Sequence, residues 1–275
     1  MKKLRLSLNL ICVGLFLVSL MFTGETVAAG VADKAVGMWL FDDGGGDTAK
    51  DSSGNGNDGT LVSGPEWVDG KFGGALKFDG TATLVDCGTG DSLNLAGSTN
   101  FSLAAWIKPA SAQSDKVIVW KGLGCSTWSQ YFLGVGCHES AGGASGPKLA
   151  FHFRTGNNSS KLEVADKEDL PVGNWLHVAG TYDGSQLKLY RDGELVSTQD
   201  AEGEPWASTE KTYIGGDPGC GVRGIFDGLI DEVMVFDVTL TDSEVKELAT
   251  AGATGAAVEP AGKLSTTWAK IKYQN

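Results

Sequence analysis

Histidine is scarce in this chain: three residues in 275, none clustered. Imidazole acid–base chemistry and multi-histidine metal centres therefore have little material to work with. Basic residues are also few, 22 against 34 acidic, for a net charge of −12. A surface of that sign repels a phosphate backbone, which excludes nucleic acid as a partner. No C-x-x-C pair occurs, so a zinc site of the usual spacing is excluded. Neither a G-x-S-x-G elbow, an H-E-x-x-H helix nor a phosphate loop is present. Methionine is rare, at four, whereas glycine reaches forty, the balance of a loop-rich β protein rather than a helical one.

Only one long apolar run exists, Leu6 to Phe22, behind Lys2, Lys3 and Arg5. With the small-residue stretch ending Val27-Ala28-Ala29, residues 1–29 read as a signal peptide cleaved after Ala29. The competing reading is an uncleaved membrane anchor, at the short limit for spanning. The segment carries three basic residues and Glu25, so its removal takes the charge from −12 to −14. The mature chain is expected to be secreted, and it keeps Cys87, Cys125, Cys137 and Cys220. An even number in an exported protein implies disulfides, in any of three pairings. The preferred pairing joins Cys125 to Cys137 across a glycine-rich loop and leaves Cys87 with Cys220.

Past the leader the pattern is that of strands. Trp175 to Tyr182 alternates with period two, Asp183-Gly184-Ser185 turns the chain, and Leu187 to Arg191 alternates again. Asp192-Gly193 then reverses it into Leu195 and Val196, giving a three-stranded antiparallel meander. Further strands are expected at Ala35–Phe41, Lys71–Asp79, Thr81–Asp86, Phe101–Lys108, Val117–Lys121, Leu149–Arg154, Leu162–Val164, Thr212–Gly215 and Gly224–Phe236. Thr241-Asp242-Ser243-Glu244 is a capping box that opens one short helix, Asp242–Thr250. Residues 30–250 form one domain; residues 251–275 are an Ala/Gly/Pro-rich linker and a polar tail.

The meander WLHVAGTYDGSQLKLYRDGE resembles the signature of LamG-like jelly rolls of the concanavalin A-like lectin/glucanase superfamily. Met38–Asp42, Asp51–Asn57, Ala75–Gly80, Phe101–Ile107 and Phe226–Val233 agree in the same order. The resemblance runs over about residues 35 to 240. It implies an all-β, two-sheet antiparallel jelly-roll sandwich with one short C-terminal helix. Glycan-cleaving members of that superfamily carry E-x-D-x-E or E-x-D-x-x-E on one strand, and this chain has neither; Asp231 and Glu232, being adjacent, should face opposite sides. The expectation is therefore a non-catalytic module.

Two groups of residues are candidates for binding. Asp51 to Gly59, DSSGNGNDG, places many oxygens on a tight curve, as a calcium ion requires, although such Asn-Gly and Asp-Gly clusters also occur simply as turns. The resemblance adds that this loop lies beside the last strand, which implies a structural calcium held by Asp51, Asn55, Asn57 and Asp231, with Asp42 and Asp79 as weaker ligands. The second group is aromatic. Trp128 and Tyr131 stand in the glycine-interrupted stretch 122–147, and Trp206 in the loop Glu202–Trp206. Such rings can stack on the apolar faces of sugars; equally, Tyr131 to Val135 can be a core strand with Trp128 capping it. His177, inside an alternating strand, reads as a core or hydrogen-bonded histidine. The function expected is recognition of carbohydrate or a glycosylated extracellular surface, with a protein-binding adhesion domain as the alternative and a glycan-cleaving enzyme as a more distant one.

Overall fold

A computed structural model describes residues 30–123, 127–136, 146–156, 160–219 and 223–253. In chain order its strands are β1 (Ala35–Trp39), β2 (Thr48–Ala49), β3 (Gly59–Val62), β4 (Glu66–Asp69), β5 (Gly74–Asp79) and β6 (Leu84–Asp86). There follow β7 (Phe101–Pro109), β8 (Lys116–Leu123), β9 (Thr127–Val135), β10 (Lys148–Thr155) and β11 (Ser160–Asp169). The meander is β12 (Leu176–Tyr182), β13 (Gln186–Arg191) and β14 (Glu194–Asp200), and β15 (Thr212–Ile214), β16 (Asp227–Phe236) and the helix α1 (Asp242–Ala251) complete the chain. Short 3-10 turns sit at Val31–Lys34 and Asp91–Leu93.

These strands make two antiparallel sheets of eight. The first runs β14-β13-β12-β7-β16-β5-β4, with β1 also paired to β16; the second runs β11-β10-β9-β8-β15-β6-β3-β2. Both are jelly-roll layers packed face to face, the architecture expected from the alternating segments. The inner faces meet in one core: Trp39, Phe78, Phe101, Leu103 and Ile107 from the first sheet against Leu133, Val135, Phe151 and Phe153 from the second. Phe101 lies 5.5 Å from both Phe151 and Phe153, centroid to centroid. Gly180 allows this approach, since a Cβ there would fall 2.2 Å from Cγ of Phe151.

The outer face of the first sheet is also covered. Ala104, Ala179, Tyr190, Met234 and Phe236 receive Leu240, Val245 and Leu248 of the α1 region and Val31 of the first 3-10 turn. Thr241 caps α1: its hydroxyl accepts from Glu244 N, and the Glu244 carboxylate accepts from Thr241 N at 2.8 Å.

The stretch that reads as irregular, 122–147, contains a central strand. β9 pairs with β8 on one side and β10 on the other, and Tyr131 is completely buried with Leu133 and Val135. Tyr131 as a sugar platform is thus corrected. Its hydroxyl bonds to Leu93 O at 3.2 Å and Thr212 Oγ1 at 3.1 Å, and burial pushes its pKa up. Glycine hid this strand: at Gly134 a Cβ would meet Lys116 O at 2.3 Å.

Candidate functional site

Trp206 is the predicted aromatic residue that reaches a surface groove. Its loop is fastened to the second sheet by three bonds. Trp206 N donates to Arg154 O at 3.0 Å, its indole Nε1 donates to Ser129 O at 3.3 Å, and Gln130 Nε2 donates to Trp206 O at 2.7 Å. Gln130 is fully buried and also bridges to Asn94 Oδ1 at 2.6 Å and Leu95 N at 3.2 Å. Tyr182, from the other sheet, donates its hydroxyl to Gly203 O at 2.7 Å. The half-buried ring therefore stands in a fixed place, its polar edge already bonded, beside a groove of about 620 Å³ shared with Gly97, Thr155, Gly203 and Glu204. A rigid aromatic wall with a carboxylate, a hydroxyl and bare backbone around it suits a ligand with an apolar face and a hydroxylated rim. Trp128 belongs to β9, but its side chain lies outside the described residues, as do Cys125, Cys137, Cys220 and the whole signal segment 1–29.

Beside this groove lies a buried polar line that sequence spacing did not reveal. Ser129 Oγ is 2.8 Å from His152 Nε2, His152 Nδ1 is 3.4 Å from Glu163 Oε2, and Lys161 Nζ donates to the same oxygen at 3.0 Å. Burial acts to raise the Glu163 pKa, but His152 and Lys161 more than offset it and hold the carboxyl at about 2. The order serine–histidine–carboxylate is that of a nucleophilic triad. Ser129 and His152 are, however, both 0 % exposed, and Phe132 stacks on the imidazole at 4.5 Å. No carbonyl can approach Oγ in this arrangement, so the line acts as a polar brace across β9, β10 and β11.

The DSSGNGNDG loop is organised around its own carboxylate. Asp51 Oδ1 accepts from Met38 N at 3.0 Å and Ser53 N at 2.9 Å; Oδ2 accepts from Asn57 N at 2.9 Å and Asn57 Nδ2 at 2.8 Å. Asn55 and Asn57 both donate through Nδ2 to Val36 O at 3.1 Å. Burial acts against ionisation of Asp51, yet these donors win and its pKa is lowered. What converges on Asp51 is N–H groups, which do not fit a calcium ion. Asp79, the weaker candidate, is similarly spent on Thr81, Ala82 and Thr83.

Asp231 is held elsewhere, at the turn before β5. Its Oδ2 accepts from Lys71 N at 2.8 Å and Phe72 N at 3.0 Å, while Oδ1 is buried without a hydrogen bond. Adjacent Glu232 is buried as well, contrary to the expectation from alternation. The register of β16 slips between Asp231 and Met234, and Glu232 takes φ 46°, a bulge that leaves both carboxylates buried away from the inter-sheet core, Asp231 under the Lys71-Phe72 turn and Glu232 against Ala253 N. Burial raises their pKa values to about 7 and about 8. Of the predicted ligands, Asp231 is the one with a buried oxygen that lacks a hydrogen bond, and among the described residues no three His, Cys, Asp or Glu side chains converge as a metal group. The set Asp51, Asn55, Asn57 and Asp231 does not share one hydrogen-bonded centre.

The other titratable groups are structural. His177 is fully buried against Trp106, with neither ring nitrogen hydrogen-bonded, and burial pulls its pKa down to about 3. Cys87 is a free, buried thiol, which corrects the expected bridge to Cys220. Its sulfur lies in the core beside Gly59, and burial, with Asp86 and Asp51 adding to it, lifts its pKa well above the ordinary value.

A family model described as the Concanavalin A-like lectin/glucanases superfamily matches residues 79–246, and the chain belongs to that superfamily. Among curated proteins, mouse (Mus musculus) pappalysin-1 is 27% identical over 154 residues, 53% of this chain but 9% of that much longer protein. Domain 4 of AbnA, a GH43 extracellular arabinanase from Geobacillus stearothermophilus solved in complex with arabinotriose, superposes with a TM-score of 0.59 at 21% identity, over 78% of this chain and 98% of that one. The binding domain of Paraclostridial Mosquitocidal Protein 1 superposes with a TM-score of 0.60 at 14% identity, over 80% of this chain and 52% of that one. The binding domain of botulinum neurotoxin DC, in complex with SialylT, gives 0.56 at 14% identity, over 80% and 52%. At these identities the likeness is one of fold.

Proposed function

We propose that this protein is a secreted, non-catalytic module that binds carbohydrate through the Trp206 groove. The observation that carries this reading is the fixed indole, bonded through Nε1 to Ser129 O and walling a groove with Glu204 and Thr155. The oligosaccharide complexes of AbnA domain 4 and of the neurotoxin domain, on the same fold, support the ligand class. The lack of an E-x-D-x-E strand and the burial of Ser129 support binding without cleavage. Export rests on the reading of residues 1–29.

A structural calcium is part of the proposal at Asp231 only, where the bare Oδ1 would be its carboxylate ligand. The test of the binding reading is calorimetric titration of residues 30–275 with neutral oligosaccharides, comparing wild type with Trp206→Ala. Loss of binding by the variant at unchanged Tm supports it. Equal affinity in the two proteins sinks it, and failure of every glycan to bind favours a protein partner.

A further inference from the structure

A second groove, of about 570 Å³, lies away from Trp206, along the edge strand β4, where Trp67 stands near Asp42, Asp69, Gly73 and Gly74. Its construction parallels that of the first. The indole Nε1 of Trp67 donates to Gly46 O at 2.9 Å, so the half-buried ring is fixed and its polar edge is spent. Asp42 is positioned by backbone strain. Phe41 adopts φ 55°, rare for a residue with a bulky side chain, and is held there because its ring is 1 % exposed in the core. That turn brings the Asp42 carboxylate to Gly74 N at 2.7 Å and leaves the rest of the group open to solvent. The floor is necessarily bare, because a Cβ at Gly73 would lie 2.1 Å from Asp42 Oδ1 and one at Gly74 would lie 2.3 Å from Phe41 O.

Strain, an oriented indole and two exposed carboxylates thus converge on a groove whose lining includes no lysine or arginine. We infer that this groove is a second saccharide site, selective for neutral or amino sugars and closed to uronates and sialylated glycans. The indole takes the apolar face of a ring. Asp42 and Asp69 accept hydrogen bonds from hydroxyls or pair with an ammonium group, and the same two charges repel a ligand carboxylate. The inference concerns a different surface from the Trp206 groove and stands or falls separately from it.

The experiment follows the indole N–H signals in ¹⁵N–¹H spectra of residues 30–275, assigned with Trp67→Phe and Trp206→Phe. The probes are the trisaccharides of N-acetylglucosamine, glucosamine and galacturonate. The Trp67 signal should move with the first two, and the galacturonate trimer should bind it at least about tenfold more weakly. Asp69→Lys, a change at an exposed position, should abolish the Trp67 response without lowering Tm and without altering the Trp206 response. A Trp67 signal that ignores all three probes, or that responds equally to galacturonate, overturns the inference. So does an undiminished response in Asp69→Lys. Movement at Trp206 with none at Trp67 removes this site and keeps the first; the converse pattern does the opposite.

Discussion

The two sheets turn very different outer faces away from their common core. On the first sheet burial shifts the titratable groups toward their uncharged forms: His177 is pulled down to about 3, and Asp231 and Glu232 are raised to about 7 and about 8. On the second sheet Glu163 is partly buried, yet it is held ionised at about 2 by His152 and Lys161. Burial acts on both faces in the same sense; partners decide the outcome. The first face is sealed as a second core under α1. The second sets the Ser129–His152–Glu163 line beside a smaller apolar cluster of Trp120, Phe132, Ala150 and Tyr213, and the Trp206 loop is bolted to it.

The sharpest way to break this contrast is to open the sealed face. Phe236→Ala removes a fully buried ring beneath α1 and should cost about 3–5 kcal/mol in urea unfolding. A loss below about 1 kcal/mol would show that the helix contributes little cover. His177 offers a pH test of the same face. Its folded pKa lies below the unfolded value of about 6.5, so its neutral form supports the fold fully above pH 6.5. That support is lost as pH falls toward about 3. His177→Phe should flatten the acid limb of a Tm-versus-pH curve between those limits, where the histidine accounts for up to about 1.4 kcal/mol per pH unit. An unchanged limb would mean that the ring finds a partner when protonated.

On the polar face the expected effects are smaller. Glu163→Gln should cost about 1–3 kcal/mol at pH 7. Because the native carboxyl titrates at about 2, below its ordinary 4.5, the wild-type advantage should be present above pH 4.5 and vanish as pH falls to 2. An advantage that persists at pH 2 would point to packing rather than charge. The effect of Trp206→Ala on stability should be the smallest, under about 1 kcal/mol for a half-exposed loop residue, while its effect on glycan affinity is tenfold or more. Calcium provides one further discrimination. Chelation should leave the melting of Asp51→Ala shifted as in wild type, since the Asp51 oxygens are already filled by N–H donors; a chelation effect abolished by Asp51→Ala and kept by Asp231→Asn would return the cation to the loop.

The fold was legible because its evidence is local. The alternation in Leu176–Tyr182 and the turn at Asp192-Gly193 show two faces and a reversal without reference to any other segment. β9 was ambiguous because glycine interrupts it for a reason visible only in three dimensions, the approach of Lys116 O to Gly134. Trp206 could be found as an aromatic residue among Gly and Pro. Ser129, His152 and Glu163 could not, since strand register alone unites them. Asp51 reads either way in the sequence, because a loop that feeds oxygens to a cation and a loop that feeds N–H groups to one carboxylate share the same residue types. Asp231 and Glu232 escaped alternation through a bulge, and a bulge is a property of pairing rather than of composition.

The docking of the first 3-10 turn and α1 on one face has a consequence for how the domain can be carried. Lys34 and Glu244 form an ion pair, so the first turn and the start of the closing helix meet on the same surface. A fold whose first turn and closing helix lock one face together leaves the exposed turn Val172–Gly173, far from that lock in sequence, as a place where the chain can be cut or lengthened without drawing its two sheets apart.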